Sequence, residues 1–298
     1  MKPQTKAYLL SLVAVLFWST IGSAFKITLR YVSFIEILLY SSFIACVILL
    51  INLAFNKKIH LLLKTSSKDI LRSALYGFLN PFLYYMILIK AYDLLLAQEA
   101  VALNYTWPLA LVLLSIPVLK QKISYKSIIA LFISFFGILI VISGGNVSEL
   151  KFDNALGVSM ALFSSIIWAS FWLLNLKDKR DEVPKLILNF FFGFIYTLIA
   201  AIITDSIRIL PIEGYLGVTY IGFFELGLTF AIWLKALKLS STTAKVSNLI
   251  YISPFMSLIF VAIIVGEKID GASWIGLIFI ISGILLQQFI SRKQSQNI

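Results

Sequence analysis

Tyr105-Thr106-Trp107-Pro108 recurs as Tyr251-Ile252-Ser253-Pro254, and the spacing between the two decides the fold. Downstream in the same register, Lys122-Ile123 matches Lys268-Ile269. Gly137-Ile138-Leu139 likewise matches Gly283-Ile284-Leu285, and each of these pairs is offset by 146 positions. Just upstream, Lys90-Ala91 matches Lys235-Ala236 at an offset of 145. An apolar block written twice, with polar atoms at matching sites, is the mark of an internal structural repeat.

What surrounds the repeat is too apolar for a soluble domain. Of 298 residues 60% are hydrophobic and 13% charged, with a mean hydropathy of +0.96. No interior of this size hides that much apolar surface, whereas a bilayer does. The net charge of +11 comes from short basic clusters between apolar runs, so it reads as a topology signal and not as a nucleic-acid footprint. Cys46, the single cysteine, lies in an apolar run and forms no intramolecular disulfide. His60, the single histidine, falls in a basic loop and reads as solvated. The basic start Met1–Lys6 precedes an apolar run with no Ala-x-Ala-like cleavage site, so that run reads as a retained first helix.

A helix needs about 20 apolar residues to cross the hydrocarbon. Ten segments qualify, near 7–28, 34–55, 70–91, 97–119, 127–143, 155–176, 185–204, 214–236, 243–265 and 272–290. The fold class expected is an all-α integral membrane protein with short loops. With the N-terminus inside, only Lys26, Arg30, Lys90, Lys151, Arg208 and Lys268 of the 25 basic residues fall outside. This bias predicts a multi-pass protein of the cytoplasmic (inner) membrane with both termini in the cytoplasm.

Segments 3, 4 and 5 correspond to 8, 9 and 10. Five crossings separate each pair, so the two halves, 1–150 and 151–298, are expected to run in opposite senses. Trp18-Ser19-Thr20 and Trp168-Ala169-Ser170 bring segments 1 and 6 into the same scheme. Two inverted five-helix repeats are a transporter signature, with the solute site near the membrane midplane.

These residues resemble the drug/metabolite transporter superfamily in its EamA-type branch. Trp18-Ser19, Trp233-Leu234-Lys235-Ala236-Leu237, Pro254, Gly266-Glu267 and Gly283 carry the resemblance, which covers essentially the whole chain. One departure is that Gly266-Glu267 has Lys120-Gln121 at the matching place in the first half. The resemblance implies ten helices and a central cavity lined by helices 1, 3, 4, 6, 8 and 9. It also implies transport of small metabolites, amino acids or amphiphilic drugs, often outward.

Inside the membrane, Glu225 stands out. It sits about eleven residues into segment 8, near the bilayer centre at roughly 1.5 Å per residue. A charge there costs about 2.5–3.5 kcal/mol on insertion scales, so it is expected to face protein or water. The alternative is a buried hydrogen bond to a neighbouring helix and nothing more. Lys235, ten residues on, lies roughly 15 Å along the axis and is no partner for it. Asn80 occupies the offset-145 position, and Gly77 and Gly222 match one turn earlier. Gly222 and Thr229 share the face of Glu225 and are expected to leave it open and polar. Glu99 and Lys245 also correspond, as gates or as interfacial anchors.

Asn104, Tyr105 and Trp107 precede Pro108, and Tyr251 and Ser253 precede Pro254. Each proline frees a carbonyl four residues back, that of Asn104 or Ile250. A freed carbonyl in a membrane needs a partner or a wet cavity, so these sites are expected to line the pathway; the alternative is a packing kink. Trp18, Tyr84, Trp168 and Trp172 join them as candidate substrate-binding residues, since aromatic faces hold flat apolar groups and cations. The substrate set expected is therefore Trp18, Asn80, Tyr84, Asn104, Tyr105, Trp107, Trp168, Trp172, Glu225, Thr229, Tyr251 and Ser253.

The sequence has no phosphate-binding loop, Gly-x-Ser-x-Gly elbow, paired metal set or nucleophile–base pair. No enzyme activity, cofactor or metal is expected, and ATP-driven transport by this chain alone is excluded. The partners expected are a small-molecule substrate, membrane lipid and, for coupling, protons. Secondary transport of an amino acid or related metabolite, outward, is the first reading. Export of amphiphilic cations or drugs is the second, and a membrane enzyme or assembly factor the third.

Overall fold

The computed structural model describes residues 2–63, 65–119, 125–146, 154–240 and 248–296, and the regular structure there is all helix. α1 spans Pro3–Thr28 and α2 Phe34–Phe55. α3 runs as Ser67–Gly77, a π-helical stretch Phe78–Leu83 and Tyr84–Leu94. α4 is Ala97–Asn104 followed by Trp107–Leu119, and α5 is Tyr125–Ile142. α6 covers Ala155–Lys177 and α7 Glu182–Ile203. α8 runs as Ile212–Tyr220, a π-helical stretch Ile221–Leu228 and Thr229–Leu239. α9 begins as a 3-10 turn at Asn248–Ile252, continues as Ser253–Phe260 and ends in a π-helical turn at Val261–Val265. α10 is Gly271–Gln296. A short helix, His60–Leu63, precedes α3.

Among the described residues seven helices are long and apolar enough to cross a membrane, and three shorter apolar helices fall in α5, α9 and α10. The protein is a multi-pass, all-helical membrane protein. Large apolar side chains on the outside, such as Phe132, Ile203 and Ile263, form the surface that lipid covers.

Local chemistry sets the helix ends. Ser33 and Glu36 form a reciprocal capping box at the start of α2, with Ser33 N–H donating to Glu36 at 2.7 Å and Glu36 N–H to Ser33 at 3.3 Å. Asn154 caps α6 by accepting from Gly157 N–H at 2.9 Å. Gly266, at φ +80°, ends α9 in the left-handed conformation that only glycine adopts cheaply.

Packing follows one rule. α1 packs on α8 and α9, and α6 packs on α3 and α4. α2 packs on α7 and α8, and α7 on α2 and α3; α5 packs on α10. Exchanging each helix n of the first five with n+5 leaves this set unchanged. Small residues make the seams, as they do where no hydrophobic force drives helices together in lipid. A Cβ on Gly77 would lie 2.3 Å from the Asn189 carbonyl oxygen of α7, and one on Gly222 would lie 2.7 Å from the Ser41 carbonyl oxygen of α2. Ser134 of α5 donates to the Ile280 carbonyl of α10 at 2.9 Å, beside Gly137 and Gly276.

Candidate functional site

The π-helical stretch of α8 carries Glu225 into the interior, where it is 8% exposed. Tyr85, on α3 and 1% exposed, donates its hydroxyl to Glu225 Oε1 at 2.8 Å. Oε2 is buried and has no hydrogen-bond partner among the described residues. Tyr84, Tyr92 and Tyr105 lie within electrostatic reach of the same carboxyl. A residue late in the chain is thus held by a tyrosine 140 positions earlier. Lys235 is exposed and takes no part.

An aromatic wall stands beside this cluster. The Tyr84 and Trp168 rings are 4.6 Å apart, and Trp168 lies 5.9 Å from Trp172 and 6.1 Å from Phe230. Trp18 meets Phe230 at 6.0 Å and Trp233 at 5.3 Å. The wall therefore joins α1, α3, α6 and α8. Trp107 is half-buried and joins none of these ring contacts among the described residues.

The proline sites separate. Tyr84 donates to Asn104 Oδ1 at 3.4 Å, and Asn104 Nδ2 donates to Ser164 at 3.2 Å. The Asn104 carbonyl freed by Pro108 accepts from Ser165 of α6 at 3.0 Å, so it faces a helix and not a wet passage. In the second half, Ser253 packs its hydroxyl 3.1 Å from Ser19 of α1, and the Tyr105 phenol reaches the same Ser253. Tyr251 is 8% exposed.

The face of Glu225 is not open as expected. Gly222 is closed against Ser41 and Ile44 of α2, and Thr229, fully buried, turns its hydroxyl onto the Phe224 carbonyl. Both repeat glycines serve the approach of helix backbones. Asn80 sits in the matching stretch of α3 with extended backbone, φ −150° and ψ 121°, and both of its side-chain polar atoms are buried without a partner among the described residues. Asn189, across the α3–α7 seam, has the same two orphaned atoms. Asn80 is not hydrogen-bonded to the Glu225 cluster.

Sequence reasoning missed Tyr85, Asn189 and the role of Glu267. Tyr85 is one residue from the expected Tyr84, and about 100° of helix separates their directions. Glu267 accepts from the backbone N–H of Ala97 at 3.0 Å and of Gln98 at 3.3 Å, which satisfies the N-terminus of α4. Glu99 accepts from Leu96 N–H at 3.0 Å at the same helix start. Its expected counterpart Lys245, like Lys120 and Gln121, lies outside the described residues.

Ion pairs clasp both ends of the bundle. At one end Arg208 pairs with the buried Glu36 at 2.5 and 3.1 Å. At the other, Arg180 pairs with Asp178 at 2.6 Å and donates to the Asp69 carbonyl and Ser73, both at 2.9 Å. Burial pushes the Asp178 carboxyl up, but the Arg180 guanidinium and backbone N–H and the nearby Lys185 outweigh it and hold it below its usual 3.8. Among the described residues no group of three or more His, Cys, Asp or Glu side chains is arranged to hold a metal.

Comparison with known proteins agrees with this geometry. Residues 5–143 and 155–287 each match the profile of the EamA-like transporter family. An "uncharacterized transporter" of Clostridium kluyveri is 26% identical over 184 residues, 59% of this chain and 58% of the relative. The transporter YyaM of Bacillus subtilis is 23% identical over 64% of each chain. The matches thus span less than two thirds of the length of these two relatives. The Synechocystis transporter sll1164 is 22% identical over 93% of this chain and 82% of its own. A solved crystal structure superposes with a TM-score of 0.69 at 18% identity, over 97% of this chain and 99% of that one, a likeness of fold.

Proposed function

The chain belongs to the EamA-like transporter family, and on that premise we propose that it is a secondary transporter of a small organic metabolite, an amino acid or related compound, moved outward across the cytoplasmic membrane. The observation that carries this reading is the buried carboxyl of Glu225, tied to Tyr85 of the other half with one oxygen unpartnered. A polar centre at the junction of two halves is where alternating access needs the solute to sit. The exchange-symmetric helix pairing supports reading the halves 1–150 and 151–298 as repeats. The odd number of crossings between matching segments supports their inversion, and the bias of Lys and Arg supports ten crossings with both termini cytoplasmic. In this account Glu225 meets an amine on the solute or carries a coupling proton. Tyr105, Ser253, Tyr84 and Asn104 supply hydrogen bonds, and Trp18, Trp168 and Trp172 hold the apolar part.

The aromatic wall beside a lone carboxyl also suits an amphiphilic cation. Flux measured in proteoliposomes, with each of the twenty amino acids and a set of lipophilic cations as competitors, separates the two. The proposal expects at least one amino acid to be carried and to compete. Carriage of lipophilic cations alone favours the second reading, and no solute flux at all contradicts both.

A further inference from the structure

Beyond the central site, the bundle has a second place for solute, at the end where Arg208 meets Glu36. A cavity of about 280 Å³ opens there between the ends of α1, α3 and α9. At ~30 Å³ per water it has the volume of some nine waters, the scale of a small metabolite. Its charged walls are Lys26, Arg30, Asp93 and Glu267. We propose that this cavity is a vestibule that binds a zwitterion, carboxylate toward Lys26 and Arg30 and ammonium toward Asp93 and Glu267.

The four groups are held in place by bonds that leave capacity for a guest. Lys26, half-buried, donates to the carbonyls of Tyr92 at 2.8 Å and Leu95 at 2.5 Å, two of its three N–H groups. Arg30 donates one of its five N–H groups, to the Val265 carbonyl at 3.2 Å. Asp93 pairs through Oδ2 with Lys90 at 2.6 Å, which leaves Oδ1. Glu267 accepts one backbone N–H on each oxygen, and each oxygen takes a second. Gly266 keeps the rim open, since a Cβ there would touch nothing within 4 Å.

Packed rings lie between the vestibule and the central site. Tyr92 lines the vestibule, the Tyr92 ring lies 5.4 Å from Phe25, and Phe25 lies 6.4 Å from Tyr85, the partner of Glu225. A cavity lined by two cations and two carboxylates discriminates against a solute of single charge, which leaves one pair of groups unmatched.

The inference rests on the transport reading, and the experiment separates the two. Each of the twenty amino acids is tested for carriage by wild type, and the best is used as probe in membrane vesicles of both orientations. Arg30→Gln and Asp93→Asn are expected to raise the half-saturating concentration about tenfold from the vestibule face and leave it unchanged from the opposite face, with Arg30→Lys near wild type. The decarboxylated and deaminated analogues of the probe are expected to inhibit from the vestibule face far less than the probe itself. Should Arg30→Gln fail to fold, Asp93→Asn carries the test. A wild type that carries none of the twenty overturns the amino-acid reading and the vestibule with it. A wild type that carries one, with both variants unchanged or raised equally on both faces, overturns the vestibule alone.

Discussion

The two π-helical interruptions, Phe78–Leu83 in α3 and Ile221–Leu228 in α8, occupy matching places in the two halves and differ in what they hold. A glycine stands at the start of each and lets its helix lie against a neighbour's backbone: Gly77, just before the first stretch, on α7, and Gly222, the second residue of the other, on α2. At the centre of the first stands Asn80, neutral and with both polar atoms orphaned. At the centre of the second stands Glu225, held at one oxygen by a tyrosine of the other half. A π-helical stretch is thus duplicated, while its chemistry and the extended Asn80 and the Pro81 of the first are not. In the proposed account the two halves supply two equivalent ways of closing, and the asymmetric side chain gives a bound solute one preferred orientation.

The scaffold side of this comparison breaks most dramatically. Gly77→Val is expected to cost about 3 kcal/mol or more, because its Cβ would lie 2.3 Å from a backbone oxygen that cannot swing away. Gly222→Val, at 2.7 Å, is expected to cost less, about 1–3 kcal/mol. Melting temperature in detergent ranks the two; a wild-type value for both would show that the seams are looser than described.

Next comes the bond between the halves. Tyr85→Phe removes the only hydrogen bond that the Glu225 carboxyl makes among the described residues and is expected to destabilise the protein by about 1–3 kcal/mol. The Glu225→Gln and Tyr85→Phe effects are expected to be non-additive in a double-mutant cycle. Strict additivity would mean that the pair does not interact in the folded membrane protein.

Asn80→Leu sharpens the contrast by its sign. It removes two orphaned polar atoms, so stability is expected to hold or rise by about 1 kcal/mol, while flux falls if Asn80 meets solute. A melting temperature lowered as far as by Tyr85→Phe would give Asn80 a partner after all.

The smallest effect is expected at the ion-pair clasp. Because the folded Asp178 carboxyl is depressed below 3.8, its contribution to stability is fully present above that value. It is lost as pH falls through the lower folded value. Asp178→Asn is expected to lower the melting temperature by a few degrees near neutrality and to erase the part of the acid-induced loss that lies below about pH 4. An unchanged acid profile would place the sensitivity elsewhere.

Much of the fold was legible because hydrophobic length, repeat offset and basic clusters are properties of long stretches. The offset of 145 paired Asn80 with Glu225 as matching polar positions, but the interruption of the helix at each was not expected. Side-chain partners were not legible, because they depend on rotation about a helix axis. Tyr84 and Tyr85 are neighbours in sequence, yet one meets Asn104 and the other Glu225. The expectation of an open face at Gly222 and Thr229 failed for the same reason: a glycine admits a helix as readily as a ligand, and only the packing of α2 decides. Pro81 was the overlooked sign of the α3 break, and Asn189 carried no counterpart at the repeat offset to draw attention to it.

The central claim is that Glu225 handles the solute or its coupling proton. The direct test is flux through Glu225→Gln and wild type, reconstituted at matched protein and compared from about pH 5.5 to about pH 8, where transfer of a coupling proton would show as a change of rate. The account predicts a correctly folded variant whose flux is reduced about tenfold or more, equivalent to about 1.4 kcal/mol, or one that still binds solute but has lost the pH dependence of flux. Equal flux by the two proteins across the whole range would contradict it and leave the Tyr85 bond as a packing contact.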